Sequence, residues 1–408
     1  MKKLLVKNIG LLATPEGKSS HRGEEQGKIK FLKDAWVLIE DGIIASVGTG
    51  AVPAVEGAEV VDAEGHLVTP GLVDAHTHLI FGGWRQNELG LKLHGASYLD
   101  IQNAGGGIQS TTNATRQASE QELAAKASKA LDEMMGFGTT TVEAKSGYGL
   151  ATEHELKALE VIKDLNDHHR MDLVATFMGA HLVPAEYKSN REEYVRLVCE
   201  EMMPKVKEQG IAKFCDVFCE ADTFTVEESR QVLEAGLKYG LRPKIHADEI
   251  EAIGGSELAG EIGAVSAEHL IVCPPSGIAS MAEGGTVACC LPATSFYLGA
   301  AYAPVQDMVQ AGVPVAMATD FNPGSCPCLN MQLVISLGCL RYRLTPEQAL
   351  TAVTLNGAAA ICRADRIGSI EPGKQADILI WNAEDLDYIC YRLGSNLVDT
   401  VIKKGNVV

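Results

Sequence analysis

Eight short apolar segments alternate with amphipathic segments from about residue 67 onward, and this repeat constrains the fold more than any other feature. Buried strands that alternate with helices build a parallel sheet covered by those helices. Eight units over about 290 residues match a (β/α)₈ barrel in number and size. The predicted strands are LVTPGLVDAHTH, TTTVEAKSG, DLVATFMGAH, AKFCDVFCEAD, RPKIHADE, AVSAEHL, TVACCLPAT and VPVAMATD.

A doubly wound open sheet is the alternative fold for such a repeat. That fold usually carries a glycine-rich turn that links a strand directly to a helix. The segment GGGIQS at 105–110 does not make that link, and we interpret it as a loop. The barrel is therefore the preferred prediction.

Both ends of the chain have strand-like patterns. Residues 1–66 contain short alternating strands with a tight turn at Asp41 and Gly42, and residues 365–408 return to strands after a helical stretch. Neither end could bury a core alone. We predict a small composite β-sandwich domain built from 1–66 and 365–408, beside a barrel at 67–364.

Composition limits the classes of partner. Polar residues interrupt every apolar run before it reaches the roughly 20 residues of a membrane helix. A net charge of -18 repels the nucleic-acid backbone. The eleven cysteines show no disulfide-framework spacing, and the Cys326-Pro327-Cys328 pair is weak evidence for a metal site. We expect a cytoplasmic protein with a small-molecule substrate and neither a membrane nor a nucleic-acid partner.

Four residues at the ends of predicted strands could bind one metal ion. His76 and His78 end the first barrel strand with both imidazoles on the same side, His246 ends the fifth strand, and Asp320 ends the eighth. Barrel active sites lie at this face. Each residue alone could instead be a hydrogen-bonded core histidine or, for Asp320, a turn cap. Together they predict one Zn²⁺ or Fe ion, because three imidazoles and a carboxylate suit these metals.

Such an ion lowers the pKa of its water to about 7 and so supplies a hydroxide nucleophile. Asp320 is placed to take or shuttle the proton. His181 ends the third strand and His269 the sixth, so both could face the same cavity, in proton transfer or in polarising an oxyanion. The alternative for each is a structural histidine bonded to a backbone carbonyl.

The sequence also resembles a known family, the imidazolonepropionases of the amidohydrolase superfamily. The resemblance spans nearly the whole chain and rests on PGLVDAHTHLIFGG, EAKSGYG, GAHLVPAEY, KIHADE, SAEHL and ATDFNPGS. It implies hydrolytic opening of 4-imidazolone-5-propanoate to N-formimidoyl-L-glutamate in histidine degradation, with zinc or iron as cofactor. It also suggests a homodimer.

The resemblance implies substrate contacts as well. They fall on Arg85, Tyr148, His181, Glu249, Asn322, Gly324 and Ser325. Arg85 could clamp the substrate's propionate, which makes it the expected specificity residue. We expect Glu249 and His269 to move protons or polarise the carbonyl while hydroxide attacks it, and the ring C–N bond to break as the nitrogen is protonated.

Two departures and two alternatives accompany this reading. Trp84 stands where the family pattern suggests an acidic residue, which could alter the loop that presents Arg85. The fourth strand offers Cys219 and Glu220 rather than the bridging lysine of binuclear relatives, which favours a single metal.

The alternative functions are an aminohydrolase acting on a purine or related heterocycle, and a barrel that binds or scaffolds without catalysis.

Overall fold

Two sheets contain the strands of the computed structural model, which describes residues 2–95 and 106–408. Strands are numbered β1 to β16 along the chain. Their bounds are β1 Lys3–Thr14, β2 Lys30–Glu40, β3 Ile43–Thr49, β4 Glu59–Asp62, β5 Leu67–Pro70, β6 Leu72–Thr77, β7 Thr139–Lys145, β8 Asp172–Ala180, β9 Phe214–Cys219, β10 Arg242–Ala247, β11 Ser266–His269, β12 Val287–Cys290, β13 Val315–Met317, β14 Ile378–Trp381, β15 Val398–Lys403 and β16 Asn406–Val407.

The strands from β6 to β13 form one parallel sheet in chain order. Its two edges meet just beyond β13, where Thr77 pairs with Phe321 and the Asp320 N–H donates to the His76 carbonyl at 3.1 Å. The sheet is therefore a nearly closed barrel. All eight predicted barrel strands are confirmed, although the first predicted segment divides at Gly71 between β5 and β6.

The second sheet is mixed and joins the two chain ends. β1 pairs with β2 in antiparallel register and with β4 and β5 in parallel register, while β14 pairs with β5 and β15. Asp41 and Gly42 both have positive φ values, 47° and 82°, at the β2–β3 turn, as a two-residue hairpin requires. The predicted fold class, a barrel with a β-domain from both ends, is confirmed. The predicted domain bounds stay a prediction.

Helices cover the outside of the barrel and join its strands. Three of them begin with a capping box, in which a Ser or Thr side chain and the third helical residue exchange hydrogen bonds with each other's backbone. The α-helices span Leu89–Leu93, Gly107–Gln117, Glu120–Gly136, Thr152–His168, Arg191–Leu197, Met203–Gln209, Val226–Lys238, Gly255–Glu261, Pro275–Gly284, Pro292–Leu298, Val305–Gln310, Met331–Arg341, Pro346–Val353, Leu355–Ala360 and Leu386–Tyr391. Within the described ranges, no helix has the length and apolar character that crossing a membrane requires.

The loop interpretation of GGGIQS was wrong for most of that segment. Residues 107–110 begin the helix Gly107–Gln117, whereas Gly105 lies outside the described residues. The Gly107 N–H donates to a Glu88 carboxylate oxygen at 2.7 Å, and the buried face of the helix consists mainly of threonines. A tertiary contact and a polar buried face therefore fix a helix that apolar periodicity does not reveal.

Candidate active site

The four residues predicted as metal ligands converge at the carboxyl ends of the barrel strands. His78 Nε2 lies 3.3 Å from His246 Nε2 and 3.6 Å from Asp320 Oδ1, and His76 Nε2 lies 3.5 Å from the same Asp320 oxygen. All four side chains are buried. The barrel thus brings together groups that are up to 244 residues apart, as the predicted strand ends require.

Carboxylates beneath the cluster orient two of its imidazoles. His76 Nδ1 lies 2.7 Å from Glu268 Oε2, and His246 Nδ1 lies 3.0 Å from Asp216 Oδ1. When a carboxylate accepts the Nδ1 hydrogen, Nε2 keeps a lone pair for a metal, which is the usual arrangement of a metal-binding histidine.

Two buried atoms of the cluster fit a cation. His76 Nε2 and Asp320 Oδ1 have no hydrogen-bond partner among the described residues, and both face the centre of the cluster. Buried polar atoms seldom stay unsatisfied. Imidazole nitrogens with one carboxylate are a donor set suited to zinc or iron. The cluster can therefore hold a metal ion.

Local electrostatics favours the neutral form of two of these imidazoles, those of His76 and His78. Burial lowers the pKa of His76 well below its ordinary value, and the charge of Lys145 lowers it further. Burial, followed by the effects of His181 and His246, also lowers the pKa of His78. Neutral imidazole is the form that donates a lone pair to a metal.

Asp320 adopts an unusual backbone conformation at the barrel rim. Its φ is 58°, in the left-handed region, and His269 at the end of β11 has a φ of 68°. Such conformations are uncommon for non-glycine residues and cluster at active sites. Asp320 Oδ2 accepts a hydrogen bond from Thr294 Oγ1 at 2.7 Å. Burial raises the pKa of Asp320 to about 6, against the lowering effect of the Thr294 bond.

His269 and Glu249 lie at the edge of the same cluster. His76, His246 and His269 offer nitrogens within 4.8 Å of one another, so His269 could reach the same ion. Its Nδ1 lies 3.7 Å from Glu249 Oε1. Burial, reinforced by Asp320, raises the pKa of Glu249 to about 8, while burial lowers the pKa of His269. The pair consists of a carboxyl group and a neutral imidazole, a combination suited to proton transfer.

His181 and Tyr148 line the side of the cluster next to His78. The His181 ring stacks on the His78 ring with centroids 4.8 Å apart and an interplanar angle of 18°. Tyr148 lies against both rings. His181 Nδ1 lies 2.9 Å from the Gly147 carbonyl, and burial lowers the pKa of His181 to about 3. Nδ1 therefore carries the hydrogen in this contact.

Arg85 is fixed by Glu88 and by the loop after Asp320. Its Nε and Nη2 donate to the two oxygens of the buried Glu88 carboxylate at 2.9 and 3.0 Å. A Cβ added to Gly324 would lie 2.2 Å from Arg85 Nη1 and 2.4 Å from its Cζ. The guanidinium thus occupies the space that any side chain at position 324 would need. The edge formed by Nη1 and Nη2 still carries hydrogens that can bind a carboxylate.

Asn322 shapes the loop that carries Gly324 and Ser325. Its Oδ1 accepts the N–H groups of Gly324 and Ser325 at 2.8 and 2.7 Å, and its Nδ2 donates to the Asp320 carbonyl at 2.8 Å. These bonds form an Asx-type turn. The side chain of Asn322 therefore connects the position of Asp320 to the surface on which Arg85 lies.

The two departures noted in the sequence have structural counterparts. Trp84 is 47% exposed and packs edge-on against Phe81 and Phe321, while the ion pair with Glu88 holds Arg85. Glu220, directly after the fourth barrel strand β9, accepts the N–H groups of Ile250 and Glu251 at 2.9 and 3.0 Å. Glu220 therefore supports the loop that follows Glu249.

All eleven cysteines lie in the described part of the chain, and each is free. Cys326 Sγ donates to the Thr319 carbonyl at 3.1 Å. Among the described residues, the groups that could hold a metal contain histidine and aspartate but no cysteine.

Sequence reasoning did not identify the residues that orient the site. These are Asp216, Glu268, Thr294 and Glu88. Asp216 and Glu268 did leave a signal, since each is an acidic residue inside a fully buried barrel strand. Such a residue must be paired when it is buried. Thr294 and Glu88 leave no comparable pattern.

Known proteins resemble this chain in sequence and in fold. The model of the amidohydrolase family matches residues 67–408. The imidazolonepropionase of Alkaliphilus metalliredigens is 50% identical over 411 residues, which cover 99% of this chain and 97% of that protein.

Solved structures share the fold at low sequence identity. Guanine deaminase of E. coli superposes with a TM-score of 0.76 at 17% identity, covering 100% of this chain and 99% of that chain. An adenosine deaminase from Xanthomonas campestris with bound zinc gives a TM-score of 0.73 at 20% identity and covers 100% and 92%. The likeness to these two proteins concerns the fold alone. By its family match and its sequence identity, this chain belongs to the amidohydrolase family and, within it, to the imidazolonepropionases.

Proposed function

We propose that this chain hydrolyses 4-imidazolone-5-propanoate to N-formimidoyl-L-glutamate, a step of histidine degradation. The observation that carries the proposal is a buried cluster of three histidines and an aspartate in the same barrel mouth as a fixed arginine, in a chain of this family. The cluster suits hydrolysis, and the arginine suits a substrate with a carboxylate.

His76, His78, His246 and Asp320 would hold one Zn²⁺ or Fe ion. Three of them offer Nε2 atoms and the fourth a carboxylate oxygen that has no other partner among the described residues. When bound, the ion would activate water at neutral pH and polarise the ring carbonyl. A single ion is proposed because Glu220, directly after the fourth barrel strand β9, is already bonded to backbone N–H groups.

The chain's own residues would move the protons of the reaction. Water adds its oxygen to the ring carbonyl carbon, the C–N bond breaks, and a proton from that water goes to the departing nitrogen. Asp320 is placed to accept this proton, since one of its oxygens is held by Thr294 and the other faces the cluster. Glu249 and His269 would deliver a proton to the nitrogen or polarise the carbonyl.

The substrate would lie between the cluster and Arg85. We propose that the Nη1–Nη2 edge of Arg85 binds the propionate, while Glu88 holds the adjacent Nε–Nη2 edge. The remaining contacts to the flat ring and its polar atoms fall on Tyr148, His181, Glu249, Asn322, Gly324 and Ser325.

Replacing Arg85 by methionine tests the carboxylate contact. We expect Arg85→Met to raise KM for 4-imidazolone-5-propanoate by about 10- to 100-fold with a smaller change in kcat, because hydrogen bonds to charged groups contribute about 1.5–3 kcal/mol. The KM of Arg85→Lys should lie between those of the wild type and Arg85→Met, since lysine keeps the charge but not the planar guanidinium group.

The exposed Arg196 provides the control, and Arg196→Met should leave KM unchanged. Wild-type KM in the Arg85→Met variant would contradict the assignment. An aminohydrolase acting on a heterocycle without a carboxylate would be indifferent to Arg85→Met, so the same pair of variants also separates that alternative.

Gly324→Ala tests how Arg85 is placed. Because the added methyl group would overlap the guanidinium, we expect a rise in KM of about tenfold, corresponding to about 1.4 kcal/mol. Gly136→Ala is the matched control, because its added methyl group meets nothing within 4 Å. Steady-state kinetics of both variants, with circular dichroism to verify folding, measures the effect. Equal KM values for the two variants would show that position 324 does not determine the arginine's position.

One experiment tests the function as a whole. Metal analysis of the purified protein, combined with an absorbance assay that follows loss of the imidazolone ring, should show about one metal per chain and metal-dependent turnover. A folded, metal-loaded protein without turnover would favour the non-catalytic alternative. The homodimer and the cytoplasmic location stay predictions, the first of which sedimentation analysis would check.

A further inference from the structure

We propose that two buried lysines, Lys145 and Lys244, are positioning residues for the metal site. They fix the two carboxylates that orient His246 and His76, and through them the direction in which both imidazoles present Nε2. This inference rests on the ligand assignment of the proposed function. It concerns the metal affinity of the chain rather than its chemistry.

The first half of the connection runs from His246 into the barrel interior. Asp216 accepts from His246 Nδ1 through Oδ1 at 3.0 Å and from Lys145 Nζ through Oδ2 at 2.7 Å. The same lysine donates to Glu143 Oε1 at 2.8 Å. Both oxygens of Asp216 are therefore engaged, and its carboxylate plane is fixed relative to the imidazole.

The second half returns from Glu143 to His76. Lys244 Nζ lies 3.4 Å from Glu143 Oε1 and 3.3 Å from Glu268 Oε1, and it donates to the Ala75 carbonyl at 3.1 Å. Glu268 Oε2 in turn lies 2.7 Å from His76 Nδ1. An unbroken chain of polar contacts thus joins the two proposed ligands beneath the metal site.

These contacts cross five barrel strands. The chain of contacts passes through residues on β6, β7, β9, β10 and β11. The five charged side chains between the two histidines have no exposed surface. They are Glu143, Lys145, Asp216, Lys244 and Glu268.

Stability alone does not account for this network. Taking charges out of water costs several kcal/mol per ion, and apolar replacements of buried ion pairs are often neutral or stabilising. What an ion-paired network supplies and an apolar core does not is a fixed direction for each carboxylate. Here that direction decides where two imidazoles point. Mutation of a group that hydrogen-bonds to a metal-binding histidine typically lowers metal affinity by about 10- to 100-fold.

Zinc affinity of the metal-free protein is the measurement that tests the proposal. In competition with a chromophoric chelator, we expect Lys145→Met and Lys244→Met to weaken zinc binding by about tenfold or more. Lys403→Met is the matched control, since Lys403 is also buried and ion-paired, to Asp172 at 2.8 Å and Asp377 at 2.7 Å, but lies on β15 of the mixed sheet formed by the two chain ends. That variant should lower the unfolding temperature yet leave zinc affinity unchanged.

A double-mutant cycle separates positioning from general destabilisation. If Lys244 acts through Glu268, Lys244→Met should cost much less zinc affinity in a Glu268→Gln background than in the wild type. Additive losses would overturn the proposal. Should Lys145→Met fail to fold, Glu143→Gln keeps the shape of the shared residue, removes its charge, and carries the same expectation of weaker binding.

Two further outcomes distinguish this proposal from the ligand assignment beneath it. Zinc affinity within about twofold of wild type in the folded lysine variants, or an equal loss in Lys403→Met, would refute the positioning role alone. If His76→Ala binds zinc as tightly as the wild type, the ligand assignment fails, and the positioning role fails with it.

Discussion

Exhaustive removal of metal should abolish turnover of 4-imidazolone-5-propanoate, with a loss on the order of 10³-fold or more. The reason is that a bound ion contributes several kcal/mol by activating water and stabilising developing charge, and each 1.36 kcal/mol corresponds to about tenfold in rate. The neutral imidazoles of His76 and His78 and the carboxylate of Asp320 cannot replace that charge.

The measurement is a turnover assay on dialysed, chelated protein whose metal content has been verified. Circular dichroism should show that the metal-free chain stays folded, and adding back Zn²⁺ or Fe²⁺ in separate samples should restore activity and show which ion supports the faster rate. Full turnover by a folded protein with no remaining metal would overturn both the ligand assignment and the proposed chemistry.

Asp320→Asn should lower kcat by about 10²- to 10⁴-fold with metal bound, because the amide cannot accept a proton from water. KM should change little, since Arg85 and the ring contacts remain. The readout is kcat at matched metal content. Asp320 keeps one oxygen on Thr294, and the asparagine can preserve that bond through its own oxygen.

Asp377→Asn is the matched control for this change. Asp377 is also a buried carboxylate, but it lies directly before β14 and binds Lys403 Nζ at 2.7 Å and the Lys404 N–H at 3.0 Å. The substitution should reduce stability and leave kcat unchanged. Wild-type kcat in fully loaded Asp320→Asn would show that another group moves the proton.

The predicted strand pattern and the actual barrel agree because strand formation here follows local rules. The strand β12, Val287–Cys290, is apolar and buried along its whole length, as a strand covered by helices on one side and by the barrel interior on the other must be. The helix at 107–117 was not predicted because its buried face is mainly threonine. Its first residue is held by a hydrogen bond to Glu88, which is 19 residues away in the sequence.

The residues of the candidate site also differ in how far the sequence predicts them. His76, His78, His246 and Asp320 could be named from the sequence because each lies at or just beyond the carboxyl end of a recognisable strand, and those ends meet at one face of a barrel. Their approach to distances of 3.3 to 3.6 Å is a property of the nearly closed barrel.

The sequence by itself determined the barrel, the pairing of the two chain ends and the identity of the residues at the strand ends, because these follow from periodicity and position along single segments. Only the tertiary structure decided which partners orient the side chains of the site. These partners are Asp216 for His246, Glu268 for His76, and Glu88 with Gly324 for Arg85. Those pairings depend on the spatial neighbourhood of side chains from different strands and loops, and a linear pattern carries no information about such distances.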